Sequence, residues 1–164
     1  MELIQILFLL ATLLCSLVAG FLFAFAVVVM PGIKNLGNRE FLRVFQVIDG
    51  IIQKNQPIFT LVWVGSVVAL VIAAVLGFGQ LDGAGRLLLV LAALAYLLGV
   101  QLPTATINVP LNNRLQKLDL DTMDEAAQKA ARENFEPSWN RWNSIRTALA
   151  TLAAALLMIL ISGF

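Results

Sequence analysis

The chain contains no histidine and a single cysteine, and only 13% of its 164 residues are charged. The missing histidine removes the commonest metal ligand and the side chain best placed to move protons near neutral pH. It also argues against a haem held by a proximal histidine. One cysteine, Cys15, excludes an internal disulfide framework. A Gly-rich phosphate loop, a metal-ligand cluster and a Ser/His or Cys/His arrangement are likewise missing from the pattern. Asp119, Asp121, Asp124 and Glu125 cluster in sequence, but their spacing suits a solvated loop and helix start rather than a calcium loop. Neither a metal nor a cofactor is therefore expected. The net charge of +1 supplies no field that would recruit nucleic acid.

Hydrophobic residues are abundant. They make up 60% of the chain, and the mean hydropathy is +0.88. Soluble domains carry about 25% charged residues, so a water-facing surface is not available here. The composition predicts one integral-membrane domain over residues 1–164, an all-α antiparallel four-helix bundle. Spans are expected at about 3–30, 57–78, 87–107 and 145–164, the first of which exceeds the roughly 20 residues needed to cross hydrocarbon. The first is read as a retained span, because no basic segment precedes Leu3 and the apolar run continues past Ala19-Gly20. Leu14 before Cys15 is also too large for a lipoprotein cleavage site.

Two connections carry their own helices. In loop 1, Asn38 is placed to cap a helix on which Phe41, Val44, Phe45, Ile48 and Ile52 recur at helical spacing, with Arg39, Arg43 and Asp49 among them. In loop 3, Thr122 and Glu125 form a capping-box pattern for a short helix through Asn134. Both are expected outside the hydrocarbon. Pro57 opens the second span, and Gly65, Ala69, Ala73 and Gly77 line one face of it, a groove for a helix of this chain or of another copy.

Basic residues set the orientation. Loop 1 carries Lys34, Arg39, Arg43 and Lys54, and loop 3 carries Arg114, Lys117, Lys129, Arg132 and Arg141, against Arg86 alone in the middle turn. The positive-inside rule then places loops 1 and 3 in the cytoplasm and both termini outside, in a bacterial plasma membrane.

The densest chemistry lies at the cytoplasmic ends of the third and fourth spans. Pro103 and Pro110 bracket Asn108 and predict a kink that frees backbone carbonyls. Asn108 and Asn112 are four residues apart, and Trp139, Asn143 and Arg146 are four and three apart, so each set shares a helix face. A guanidinium beside a span needs a partner, carbonyls or water. With asparagine amides and an aromatic wall of Trp139 and Trp142, it suits a flat ligand bearing an oxygen anion. The same residues are also ordinary interface anchors and partners for broken backbone.

The segments Asn108-x-Pro-Leu-Asn112-x-x-Leu115 and Trp139-x-x-Trp142-Asn143-x-x-Arg146 are similar to those of a domain-of-unknown-function family that includes the anthrone oxygenases. A first span ending in Met30-Pro31-Gly32 and the four-span plan extend the resemblance. It implies oxygenation of an anthrone to an anthraquinone without metal or flavin. The resemblance gives Arg146 the oxyanion-stabilising role, assisted by Asn112 and Asn143. Asn108 would position substrate or hold the kink, Trp139 would pack the rings, and Trp142 would complete the wall. The base is not evident, so a loop carboxylate, Tyr96 or water would have to serve. The competing expectation is a non-catalytic binding or assembly protein that forms homo-oligomers through Gly65, Ala69, Ala73 and Gly77. Transport is disfavoured by the lack of an inverted repeat.

Overall fold

The computed structural model describes residues 2–163, which form five helices and, among those residues, no strand. These are α1 (Leu3–Ile33), α2 (Asn38–Gln53), α3 (Pro57–Gln80), α4 (Gly83–Gln116) and α5 (Glu125–Ser162). All but α2 are long and apolar enough to cross a membrane. Their outward residues, such as Leu3, Ile58, Leu61 and Val75, are apolar and more than two-thirds exposed, as lipid contact requires. The chain is an integral membrane protein built as an all-α bundle.

Helix α1 packs against α3 on one side and α5 on the other, and α5 in turn packs against α4. Close approach depends on small residues. A Cβ added at Gly77 would stand 2.4 Å from the Phe8 ring, and one at Gly99 would stand 2.3 Å from Leu149. In lipid the hydrophobic effect does not draw helices together, so such dense contacts carry the association. The Gly65–Gly77 face of α3 is occupied by α1 of the same chain, with Ala69 and Ala73 buried there. Helices α3 and α4 touch only lightly but are bridged by Ser66–Tyr96 at 2.6 Å and Trp63–Gln101 at 3.0 Å.

Helices α1 and α4 are longer than their predicted spans and change pitch on the way. π-helical segments occur at Phe25–Val29, Leu97–Gln101 and Thr104–Asn108. Each ends two residues before a proline: Pro31, Pro103 and Pro110. A proline has no N–H for the carbonyl four residues back and its ring crowds that carbonyl, so the chain widens by one residue instead of breaking. The first span thus runs through Pro31 to Ile33 instead of stopping at Met30. The kink predicted between Pro103 and Pro110 takes the form of a wide turn over Thr104–Asn108, with a second just before Pro103.

Two capping expectations are corrected. Gly37, not Asn38, precedes the first turn of α2. Asp124, not Thr122, caps α5 by accepting from the Ala127 N–H at 2.7 Å, while Thr122 donates to the Asp119 carbonyl. The helix expected to stop at Asn134 continues through Pro137 to Ser162, so the loop 3 helix is the first part of the fourth span. The Asp124 side chain thereby satisfies one of the N–H groups that any helix start leaves open.

Helix α2 folds under the end of the bundle. Phe41, Leu42 and Phe45 bury against Phe25, Met30, Leu115, Phe135 and Trp139 in a second core. Polar ties hold it there. Gln46 donates to the carbonyls of Leu115 and Leu118 at 2.9 and 3.0 Å, and Gln116 donates back to the Gln46 carbonyl at 3.0 Å. Arg39 and Arg43 meet Asp121, and Arg132 donates to the carbonyls of Lys34 and Leu36 while lying 4.2 Å from the Phe41 ring centre.

Candidate functional site

Between the bundle core and this second core lies a cavity of about 270 Å³, walled by residues from all five helices. That volume is near the lower end of the roughly 300–1,000 Å³ typical of ligand pockets. Six aromatic rings make up much of its apolar wall. Phe59 stacks on Trp63 with ring centres 5.4 Å apart, and Phe21 meets Phe59 edge-on at 5.2 Å. Phe25 reaches Trp139 at 5.6 Å and Phe45 reaches it at 5.2 Å. With Phe21 and Phe25 5.0 Å apart, the rings form one connected row along the wall.

Polar groups enter at a few points. The π turn over Thr104–Asn108 brings Thr104 and Asn108 to the wall, and the Trp139, Asn143, Arg146 face of α5 lies opposite. Arg146 is only 4% exposed. It donates from Nη1 to Thr104 Oγ1 at 2.9 Å and from Nη2 to Asn143 Oδ1 at 3.0 Å. Its Nε has no protein partner, and among the described residues no carboxylate pairs with it. Asn143 is itself anchored, donating from Nδ2 to the Leu22 carbonyl of α1 at 3.1 Å. The guanidinium is thereby fixed by neutral oxygens and keeps donors free. Its carbon lies 5.9 Å from the Trp139 ring centre. Asn108 is 2% exposed and leaves Oδ1 unpartnered, with a 3.4 Å contact from Nδ2 to the Trp139 carbonyl.

On α2, Asp49 occupies the next position of the Phe41–Phe45 stripe and is 3% exposed. Oδ1 accepts from Asn112 Nδ2 at 2.8 Å, and Oδ2 accepts from Gln116 at 2.8 Å and Gln53 at 3.3 Å. Asn112 in turn accepts from the Trp139 indole N–H at 2.9 Å. An indole nitrogen only donates, so this bond turns the amide N–H of Asn112 toward the carboxylate.

The cavity therefore brings together Asn108, Asn112, Trp139, Asn143 and Arg146, all expected from the sequence. It does not include Trp142, which is half-buried on a neighbouring face of α5. Tyr96 is also outside it, enclosed in the bundle core against Ser66. Asn112 and Asn143 spend their amides on Asp49, Trp139, Arg146 and the Leu22 carbonyl. Among the described residues, no three His, Cys, Asp or Glu side chains gather as a metal-binding group.

Residues 52–156, more than half of the chain, match the anthrone oxygenase family. The chain belongs to the anthrone oxygenase family. No curated protein and no solved structure matches it. The stretch shared with the anthrone oxygenase family carries the α4 and α5 side of the cavity, from Thr104 to Arg146. Phe21, Phe25, Phe45 and Asp49 lie before it. Sequence reasoning missed Asp49 as a site residue. Its signal was an acid four residues past Phe45, where the inward stripe of an amphipathic helix calls for an apolar side chain.

Proposed function

We propose that the protein oxygenates a flat, hydrophobic aromatic ketone of the anthrone type with molecular oxygen, using no metal or flavin. One observation carries this reading: a buried guanidinium, paired with no carboxylate among the described residues, faces a cavity lined by six aromatic rings. Such a group stabilises negative charge that develops on a substrate oxygen, most strongly where water is excluded. An anthrone supplies its own electrons. Loss of its acidic C–H proton gives an enolate whose oxygen is held by Arg146. The enolate reduces oxygen, a C–O bond forms at the same carbon to give a hydroperoxide, and loss of the second proton with cleavage of O–O releases water and leaves the quinone carbonyl. One substrate, one dioxygen, one quinone and one water balance.

The residues take distinct roles. Arg146 stabilises the oxyanion, and Asn143 and Thr104 hold its fork. Trp139, Phe25, Phe45 and Phe59 pack the rings, and Asn108, with an open Oδ1, orients a substrate hydroxyl. The test is turnover of an anthrone under ¹⁸O₂ by the full chain in detergent. The proposal expects one labelled oxygen in the quinone, formed faster than in protein-free buffer. A rate equal to buffer rejects it. The assembly alternative has less support, because the small-residue face it needs is filled by α1.

The same reading places loops 1 and 3, and with them the cavity mouth at Gln53 and Asn55, on the cytoplasmic side of a bacterial plasma membrane. It rests on the basic residues of those loops. Labelling of a cysteine introduced at Lys54 by a membrane-impermeant reagent should require permeabilised cells.

A further inference from the structure

We infer that Asp49 is the base that takes the acidic ring proton, working across the cavity from Arg146. This inference rests on the proposed reaction and supplies its missing group. Among the described residues, the cavity wall carries two ionisable side chains, Asp49 and Arg146. The reaction needs a proton acceptor and an oxyanion site, and the wall offers one group of each kind.

The environment of Asp49 suits that role. A buried anion and a buried cation in one low-dielectric space would ordinarily pair, since breaking such a pair is costly. Here each is tied to neutral partners instead: Asp49 to Asn112, Gln116 and Gln53, and Arg146 to Thr104 and Asn143. The two charges do not pair with each other, so a substrate reaching both meets a donor and an acceptor. A carboxylate has about four acceptor positions. Three are used, two on Oδ2 and one on Oδ1, which leaves a position open on Oδ1. Gln53, one turn from Asp49, is exposed at the cavity rim, so a proton taken inside has a short way out to water. The step is a simple transfer: the substrate C–H bond breaks, its electron pair stays in the enolate, and the proton forms an O–H bond on Asp49.

The substrate class narrows accordingly. It is a planar ketone whose acidic C–H and carbonyl oxygen are separated enough to meet two different walls.

Proton abstraction is testable apart from oxygen chemistry. An anthrone deuterated at its acidic carbon is incubated without oxygen in light water with the full chain in detergent, and loss of deuterium is followed by mass spectrometry. Wild type should accelerate the loss over a protein-free control. Asp49→Asn should lower that acceleration by about 10²-fold or more, the scale of general-base catalysis, while still binding the anthrone as judged by tryptophan quenching. Undiminished exchange in Asp49→Asn overturns the assignment. Should Asp49→Asn fail to fold, Gln116→Leu decides. It removes a donor that orients the carboxylate without touching the cavity wall, so the accelerated exchange should change while anthrone binding stays as in wild type. Unchanged exchange overturns the assignment. Quinone formation by wild type without accelerated exchange removes Asp49 alone, whereas absence of both removes the oxygenase reading itself.

Discussion

Trp139 donates its indole N–H to Asn112 Oδ1 at 2.9 Å, and this bond fixes the amide so that Nδ2 faces Asp49. Three helices are joined through one side chain: α5 by Trp139, α4 by Asn112 and α2 by Asp49. A residue read from the sequence as an oxyanion donor is therefore also a strut that sets a carboxylate. Replacing it with Asn112→Leu leaves a buried indole N–H and a carboxylate oxygen without partners. Each buried group left unsatisfied costs about 1–3 kcal/mol. The variant should melt lower than wild type in mild detergent and turn over more slowly. An unchanged melting temperature would show that the strut carries no stability.

The prolines of α4 make a prediction about geometry. Pro110 follows the π turn that carries Thr104 and Asn108. Restoring an N–H with Pro110→Ala allows an ordinary α turn, and one residue of helical phase is about 100°. Thr104 would then lose its place against Arg146. Turnover should fall at least tenfold with little loss of thermal stability, because the helix gains a regular hydrogen bond. Full activity in Pro110→Ala would contradict a role for the wide turn.

Small residues differ in how much room they have. Gly99→Val must push against Leu149, where a Cβ already lies at 2.3 Å, and overpacking of this kind costs about 1–3 kcal/mol. Gly65→Ala meets only Leu14 at 3.4 Å, an ordinary contact, and should leave the melting temperature near wild type. Equal effects of the two substitutions would refute the packing described for α4 and α5.

Outside the membrane, Arg39 and Arg43 hold the Asp121 carboxyl below its ordinary value near 3.8. A carboxyl whose folded value is depressed contributes stability above its unfolded value and loses it as pH falls through the folded one. Wild type should therefore keep a small, constant advantage over Asp121→Asn at neutral pH. That gap should begin to narrow as pH falls below about 4 and go on narrowing at lower pH, and high salt should narrow it too, since the pair is exposed. A gap that stays constant as the pH is lowered below about 4 would exclude the ion pair as its cause.

Much of this architecture is legible in the chain. The four spans follow from runs of apolar residues, and the cluster of Asn108, Asn112, Trp139, Asn143 and Arg146 follows from spacing on helix faces. Phase and tertiary reach are less visible. Nothing local distinguishes a proline that ends a helix from one that widens it, as Pro31 does after Phe25–Val29, because neighbouring helices decide the outcome. Trp142 looks equivalent to Trp139 in sequence, yet α5 turns only Trp139 into the cavity. Asp49 reads as one charge among several on an amphipathic helix until α2 is seen to lie under the bundle with its 41–45–49 stripe inward.

The central claim is that Arg146 stabilises charge on a substrate oxygen. Oxygen uptake with an anthrone, by wild type and Arg146→Ala in detergent with a protein-free control for autoxidation, tests it most directly. Loss of one preorganised donor to a developing oxyanion costs about 10²–10³ in turnover. The account predicts a fall of that size in Arg146→Ala, with elution in detergent and tryptophan fluorescence like wild type, and a smaller fall in Asn143→Ala, which only loosens the guanidinium. Uptake in Arg146→Ala equal to wild type would contradict it.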